Sequence, residues 1–163
     1  MKTNLPKRKP TRLNNYNYSS TGYYFVTLCT KDRKKTLSRI VGDGAHDVPR
    51  IQLTTIGKIV EKYIISSNKI EGITVDKYVI MPDHVHILIG VQNKGTSRAP
   101  SPTNEMIPHT ISTLKRFVHK EIGESVFQRS YNDHIIRGEH DYQEVWQYIE
   151  DNPIKYELNQ PQK

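Results

Sequence analysis

The sequence predicts an α+β fold, a ferredoxin-like βαββαβ unit with an antiparallel sheet, helices on one face and an added C-terminal helix carrying a tyrosine. Three observations predict it. Residues 23–30, 73–81 and 85–91 are apolar runs rich in β-branched and aromatic side chains, the signature of strands. Two other stretches, 55–68 and 109–122, repeat apolar residues at three- and four-residue spacing, which places them on one face of a helix. The order of segments is strand, helix, strand, strand, helix, strand, helix, with no internal repeat. A chain of 163 residues suffices for one domain with a core and is too short for two.

Residues 1–20 read as a basic arm, in which Lys2, Lys7, Arg8, Lys9 and Arg12 sit among Pro6 and Pro10. Like charges oppose compaction, so the arm is either solvated or docked on nucleic acid. One unit then spans 21–157, with a tail at 158–163. Its first strand, Tyr23 to Thr30, ends at the charged turn Lys31-Asp32-Arg33-Lys34-Lys35, a phosphate-facing edge or plain solvated surface. Residues 40–50, with Gly42, Gly44 and Pro49, read as a loop. Thr54 or Thr55 caps a helix to about Asn68, with Ile56, Ile59, Val60, Tyr63 and Ile64 as its stripe.

Ile73–Met81 and Val85–Val91 form a hairpin around Pro82-Asp83. A loop at 92–107 leads to a helix after Pro108, apolar at Ile111, Leu114, Phe117, Val118 and Ile122. Its other side carries Lys115, Arg116, His119 and Lys120, which suit either phosphate contact or simple solvation. Phe127–Arg137 reads as the fourth strand, where His134 and Arg137 are candidate DNA contacts or ordinary edge residues. Glu139 or His140 opens the last helix. Pro153 predicts its end near Asn152, because the residue before a proline is disfavoured in helix.

Net charge is +7, from 24 Lys and Arg against 17 Asp and Glu, which favours a polyanionic partner. Hydrophobic residues make up 35% of the chain, and no apolar run approaches the roughly 18 residues of a membrane span. The basic N-terminus is followed by no apolar stretch, which speaks against a secretory signal. Cys29 is the single cysteine, excluding an intrachain disulfide and a multi-cysteine zinc site. A reducing, cytoplasmic setting is the expectation.

Two constellations carry chemistry. His84 and His86 are two apart on a strand and so share a face, with Val85 on the other. Two adjacent imidazoles can hold one divalent ion, although on their own they also suit a structural role. Tyr148 and Asn152 are four apart on the last helix and share its face, beside the apolar Val145 and Ile149. Asn offers a neutral oxygen and Tyr an ionisable one. Tyr142 is roughly opposite Tyr148 in helical phase, and His109 and His119 have no partner at ligand spacing. Asp83 neighbours His84, where it orients the ring or serves ordinary turn chemistry.

The segments YVIMPDHVHILI, FQRSYNDHIIR and WQYIEDNP resemble the single-tyrosine HUH transposases, most closely the REP-associated tyrosine transposase-like proteins. His84-Val85-His86 matches the paired histidines, and Tyr148 through Pro153 matches the tyrosine followed by I-x-x-N-P. The resemblance implies single-stranded DNA cleavage and strand transfer through a 5′-phosphotyrosine. It implies Tyr148 as the nucleophile, and His84, His86 and Asn152 as ligands of Mg²⁺ or Mn²⁺. The DNA would contain a hairpin. Lys7, Arg8, Lys9, Arg12, Arg33, Lys115, Arg116 and Arg137 are its candidate contacts, and some relatives are homodimers. Two rivals remain at this point: a DNA-binding module of the same fold without activity, and a metal-dependent nuclease that uses water.

Overall fold

The computed structural model describes residues 20–42, 48–92 and 105–158. Four strands form an antiparallel sheet: β1 (Gly22–Cys29), β4 (Ile73–Ile80), β5 (His84–Val91) and β6 (Asn132–Ile135), in the order β4-β5-β1-β6. Helices α1 (Thr55–Ser66) and α2 (Met106–Ile122) are the two crossovers, which gives the ferredoxin-like connectivity expected from the sequence. The last helix, α3 (Glu139–Leu158), follows β6. A separate two-stranded ribbon, β2 (Ser38–Val41) with β3 (Arg50–Leu53), precedes α1.

The two faces of the sheet are covered differently. Tyr24, Val26 and Leu28 of β1, with Val85, Ile87 and Ile89 of β5, form the main core with Val60 and Ile64 of α1 and Ile107, Ile111, Leu114 and Val118 of α2. The alternate residues face α3, whose Val145 and Ile149 pack with Val79, Met81 and Leu88. β5 is therefore buried along its whole length, which is why it reads as a nearly continuous apolar run rather than an alternating one. The expectation of helices on one face holds for α1 and α2, and α3 closes the opposite face.

Local chemistry explains the element ends. The Thr54 hydroxyl caps α1 by accepting from the Gly57 amide at 3.0 Å. Gly57 also admits the β2 neck, because a Cβ there would lie 2.0 Å from the Leu37 carbonyl oxygen. α2 begins before Pro108, since a proline in the first turn lacks only a donor that has no helical partner there. Gly123, at φ 88°, ends that helix.

Three boundaries differ from the sequence reading. Ile40, Val41 and Arg50, at the ends of the expected loop, belong to the β2–β3 ribbon, in which Ile40 and Ile51 pack against the α3 cluster. Four-residue strands are too short for their alternation to stand out in the sequence. The fourth strand is also shorter than 127–137. Phe127 makes only an isolated bridge to Thr30, and the carbonyls of Gln128, Arg129 and Ser130 accept from the Lys115 ammonium instead of from a strand. Finally, α3 continues through Pro153 to Leu158. The basic arm, most of the 92–107 loop and most of the tail lie outside the described residues.

Candidate active site

The β4–β5 turn places the first histidine at the edge of the sheet. The Met81 amide donates to the His84 carbonyl at 2.8 Å, closing a two-residue turn of Pro82 and Asp83. Thr30, just beyond β1, fastens that turn: its amide and its hydroxyl both donate to the Asp83 carbonyl at 3.0 Å. In the β1–β5 register, His84 lies opposite Cys29 and His86 opposite Thr27. The two imidazoles share the face toward α3, with ring centroids 4.7 Å apart.

Each ring is oriented through Nδ1. The Asp83 carboxylate lies 2.7 Å from His84 Nδ1 and 3.3 Å from the Arg33 guanidinium. The Thr27 hydroxyl lies 2.9 Å from His86 Nδ1. The carboxylate accepts from His84 Nδ1, whereas a hydroxyl can donate or accept; both contacts leave Nε2 for another partner. His86 Nε2 is buried and has none among the described residues. Burial first, then the charges of His84 and Arg33, push the His86 pKa down to about 3, so this ring is neutral at pH 7.

Helix α3 is docked over these rings by contacts at several points. The Tyr142 hydroxyl donates to Asp76 at 2.9 Å, at the bulge that interrupts β4 between Val75 and Lys77. The Lys77 ammonium reaches the Glu150 carboxylate at 2.6 Å and lies 4.2 Å from the Trp146 ring centroid. Val145 and Ile149 supply the apolar contact between those ties. Tyr148 then falls against the histidine pair, its ring centroid 5.3 Å from that of His86. Phe25 completes the group, stacked on His86 at 5.0 Å and edge-on to Tyr148 at 5.8 Å. Tyr148 remains 41% exposed while Asn152, one turn on, is 5% exposed. A phenol open to solvent thus stands beside paired, pre-oriented imidazoles. All of these residues come from one chain.

That arrangement accompanies a family match. A model of the IS200-like transposases matches residues 18–152. The chain belongs to the IS200-like transposase family. An uncharacterized protein of Haemophilus influenzae is 31% identical over 172 aligned positions, covering 94% of this chain and 92% of that protein. The structure of a REP-associated tyrosine transposase bound to a REP hairpin superposes with a TM-score of 0.64, covering 89% of this chain and 73% of that one. At 18% identity the likeness speaks to the fold. The matched segment of this chain contains both histidines, Tyr148 and Asn152.

The other sequence-derived candidates are scattered. Arg33 stands at the rim of the site through Asp83, its guanidinium also donating to the Cys29 sulfur at 2.9 Å. Its backbone and that of Asp32 have φ values of 55° and 56°, an uncommon conformation for non-glycine residues. Lys115 and Arg116 belong to α2 on the opposite side of the sheet. Lys115 is committed to the 128–130 carbonyls, and Arg116 lies 5.1 Å from the Phe117 ring. Arg137 follows β6 and binds Asp141 through its backbone amide. His134 pairs with the same carboxylate at 2.9 Å. Lys7, Arg8, Lys9 and Arg12 lie outside the described residues. Sequence reasoning left the roles of Thr27 and Phe25 unread, although their positions opposite His86 and Leu88 follow once the strand register is known.

Proposed function

We propose that this IS200-like transposase cleaves and rejoins single-stranded DNA through a covalent tyrosine intermediate. In the forward step the Tyr148 oxygen bonds to the scissile phosphorus, and the bond from phosphorus to the 3′-oxygen breaks. The phenolic proton is released and the departing oxygen takes up a proton, giving a 5′-phosphotyrosine and a free 3′-hydroxyl. Attack by a 3′-hydroxyl reverses the bonds and restores Tyr148. Two ester bonds of similar energy are exchanged, so joining needs no separate source of energy.

The donor set fits a divalent ion. His86 Nε2 is a buried nitrogen with no partner among the described residues, His84 is oriented by a carboxylate through its other nitrogen, and Asn152 adds a neutral oxygen donor on α3. Nitrogen and oxygen ligands without a thiolate suit Mg²⁺ or Mn²⁺ as physiological ions. Such an ion, when bound, supplies polarisation of the phosphate and neutralises charge that develops as the phosphorus is attacked. His84, His86 and Asn152 would hold it, beside the solvent-exposed Tyr148. The basic surplus suits a DNA partner, and a hairpin-containing strand is the substrate class that the REP-associated relative suggests.

The observation that carries this reading is the placement of Tyr148 against His86 within one chain. The test is incubation with single-stranded hairpin oligonucleotides and Mn²⁺, resolved on denaturing gels. The expected product is a protein–DNA adduct absent from Tyr148→Phe. Cleavage that survives this change without an adduct would establish the water-using nuclease instead, and binding without cleavage the inactive module.

A further inference from the structure

A second phenol on the same face of α3 is unused by the chemistry above. Tyr156 lies four residues after Asn152, as Tyr148 lies four before it, so the three side chains follow one another along the helix. The two phenols flank the histidine pair from different ends. Tyr148 is beside His86, whereas the Tyr156 ring centroid is 6.1 Å from that of His84. The Lys35 ammonium lies 5.7 Å from the Tyr156 ring, toward the turn after β1.

The Tyr156 hydroxyl is buried and has no hydrogen-bond partner among the described residues. Leaving a buried hydroxyl unpaired is destabilising, and phenylalanine would avoid that penalty in the same space. His86 Nε2 is orphaned in the same manner within this ring cluster. One is a lone pair suited to a cation, and the other is an O–H suited to an anionic oxygen. A divalent ion carrying an oxygen ligand offers a partner of each kind.

We infer that Tyr156 is a positioning residue whose hydroxyl donates a hydrogen bond, on the His84 side of the site, to an oxygen that enters with the divalent ion. The inference rests on the proposed metal site and not on Tyr148 being the nucleophile. A phenol with the ordinary pKa of about 10 carries the proton needed for donation at neutral pH. Continuation of α3 past Pro153 is what brings this residue into place.

The test compares full-length Tyr148→Phe with the double variant Tyr148→Phe/Tyr156→Phe, so that cleavage plays no part. Mn²⁺ is titrated calorimetrically into each, alone and with a single-stranded hairpin oligonucleotide. Loss of one hydrogen bond should weaken binding roughly threefold to tenfold. Weakening with Mn²⁺ alone identifies the accepted oxygen as a water on the ion, and weakening only with DNA identifies a phosphate oxygen. In the absence of metal and DNA, Tyr156→Phe should melt at the wild-type temperature or above it. Equal affinities under both conditions overturn the inference, as does a lowered melting temperature, which would show the hydroxyl already paired. Failure of the Tyr148→Phe protein to bind Mn²⁺ also overturns it. Absence of a covalent adduct in the wild type would remove the nucleophile assignment and leave this comparison intact.

Discussion

Asp83 links the turn to the neighbouring imidazole and to Arg33. Its carboxylate holds His84 Nδ1 and pairs with Arg33, so it fixes which imidazole nitrogen faces α3. Asp83→Asn should weaken Mn²⁺ binding about tenfold, the lower end for loss of such an outer partner, with little change in melting temperature. Calorimetric titration checks this, and wild-type affinity in the variant would remove Asp83 from the site. The sequence placed Asp83 beside His84 but left both an orienting role and turn chemistry open, because hydrogen-bond direction depends on a rotamer. Lys115 makes a different point. The sequence marked it as a phosphate contact or a solvated residue, whereas burial lowers its pKa to about 8 and its ammonium holds three carbonyls. The unfolded chain keeps its proton up to about 10.5, so between these values the folded form binds fewer protons. The Lys115 contribution to stability therefore increases as pH rises from about 8 to 10.5. Urea midpoints at about pH 7.5 and 9.5 should show a larger rise in the wild type than in Lys115→Met.

At the scale of elements, α3 is where periodicity and tertiary packing disagree. Its apolar stripe is narrow, and Pro153 marks a stop by local rules. Packing of Val145 and Ile149 on β4 and β5, with the Tyr142 and Lys77 ties, holds the helix across that point. Ile149 is 1% exposed. Ile149→Ala should cost about 2–5 kcal/mol by the usual cavity penalty and reduce cleavage as well, because Tyr148 and Asn152 ride on the same turn. Urea denaturation together with the adduct assay separates this variant from Tyr148→Phe, which should keep its stability. The β2–β3 ribbon depends on a different contact. In Gly57→Ala the new methyl would meet the Leu37 carbonyl at 2.0 Å and force α1 and the ribbon apart. Destabilisation of about 3 kcal/mol is expected, the upper part of the overpacking range. A glycine within a helix carries no sequence mark of the backbone that will press against it, and this contact was not legible in advance.

At the scale of the whole molecule, helices on both faces enclose the sheet, and the site lies under the single helix on the α3 face. Both histidines, Tyr148 and Asn152 come from one chain, so one copy should suffice for cleavage. A mixture of inactive His86→Ala and inactive Tyr148→Phe proteins should therefore form no adduct. Recovery of adduct in the mixture would show that helices exchange between copies in solution. Among the described residues, no helix is long and apolar enough to span a membrane. By itself the sequence determined the order of the main elements, the shared face of His84 and His86, and the shared face of Tyr148 and Asn152. It could do so because strand and helix periods act over a few residues. Their order and motifs also carried the resemblance to a transposase family, which the match over residues 18–152 supports. Only the tertiary structure decided that α3 crosses the sheet face opposite α1 and α2, that it runs past its proline, and that Tyr156 reaches His84. Those outcomes depend on contacts between segments far apart in the chain. The distance between two short-range motifs is set by how their elements pack, and no local pattern in either motif encodes it.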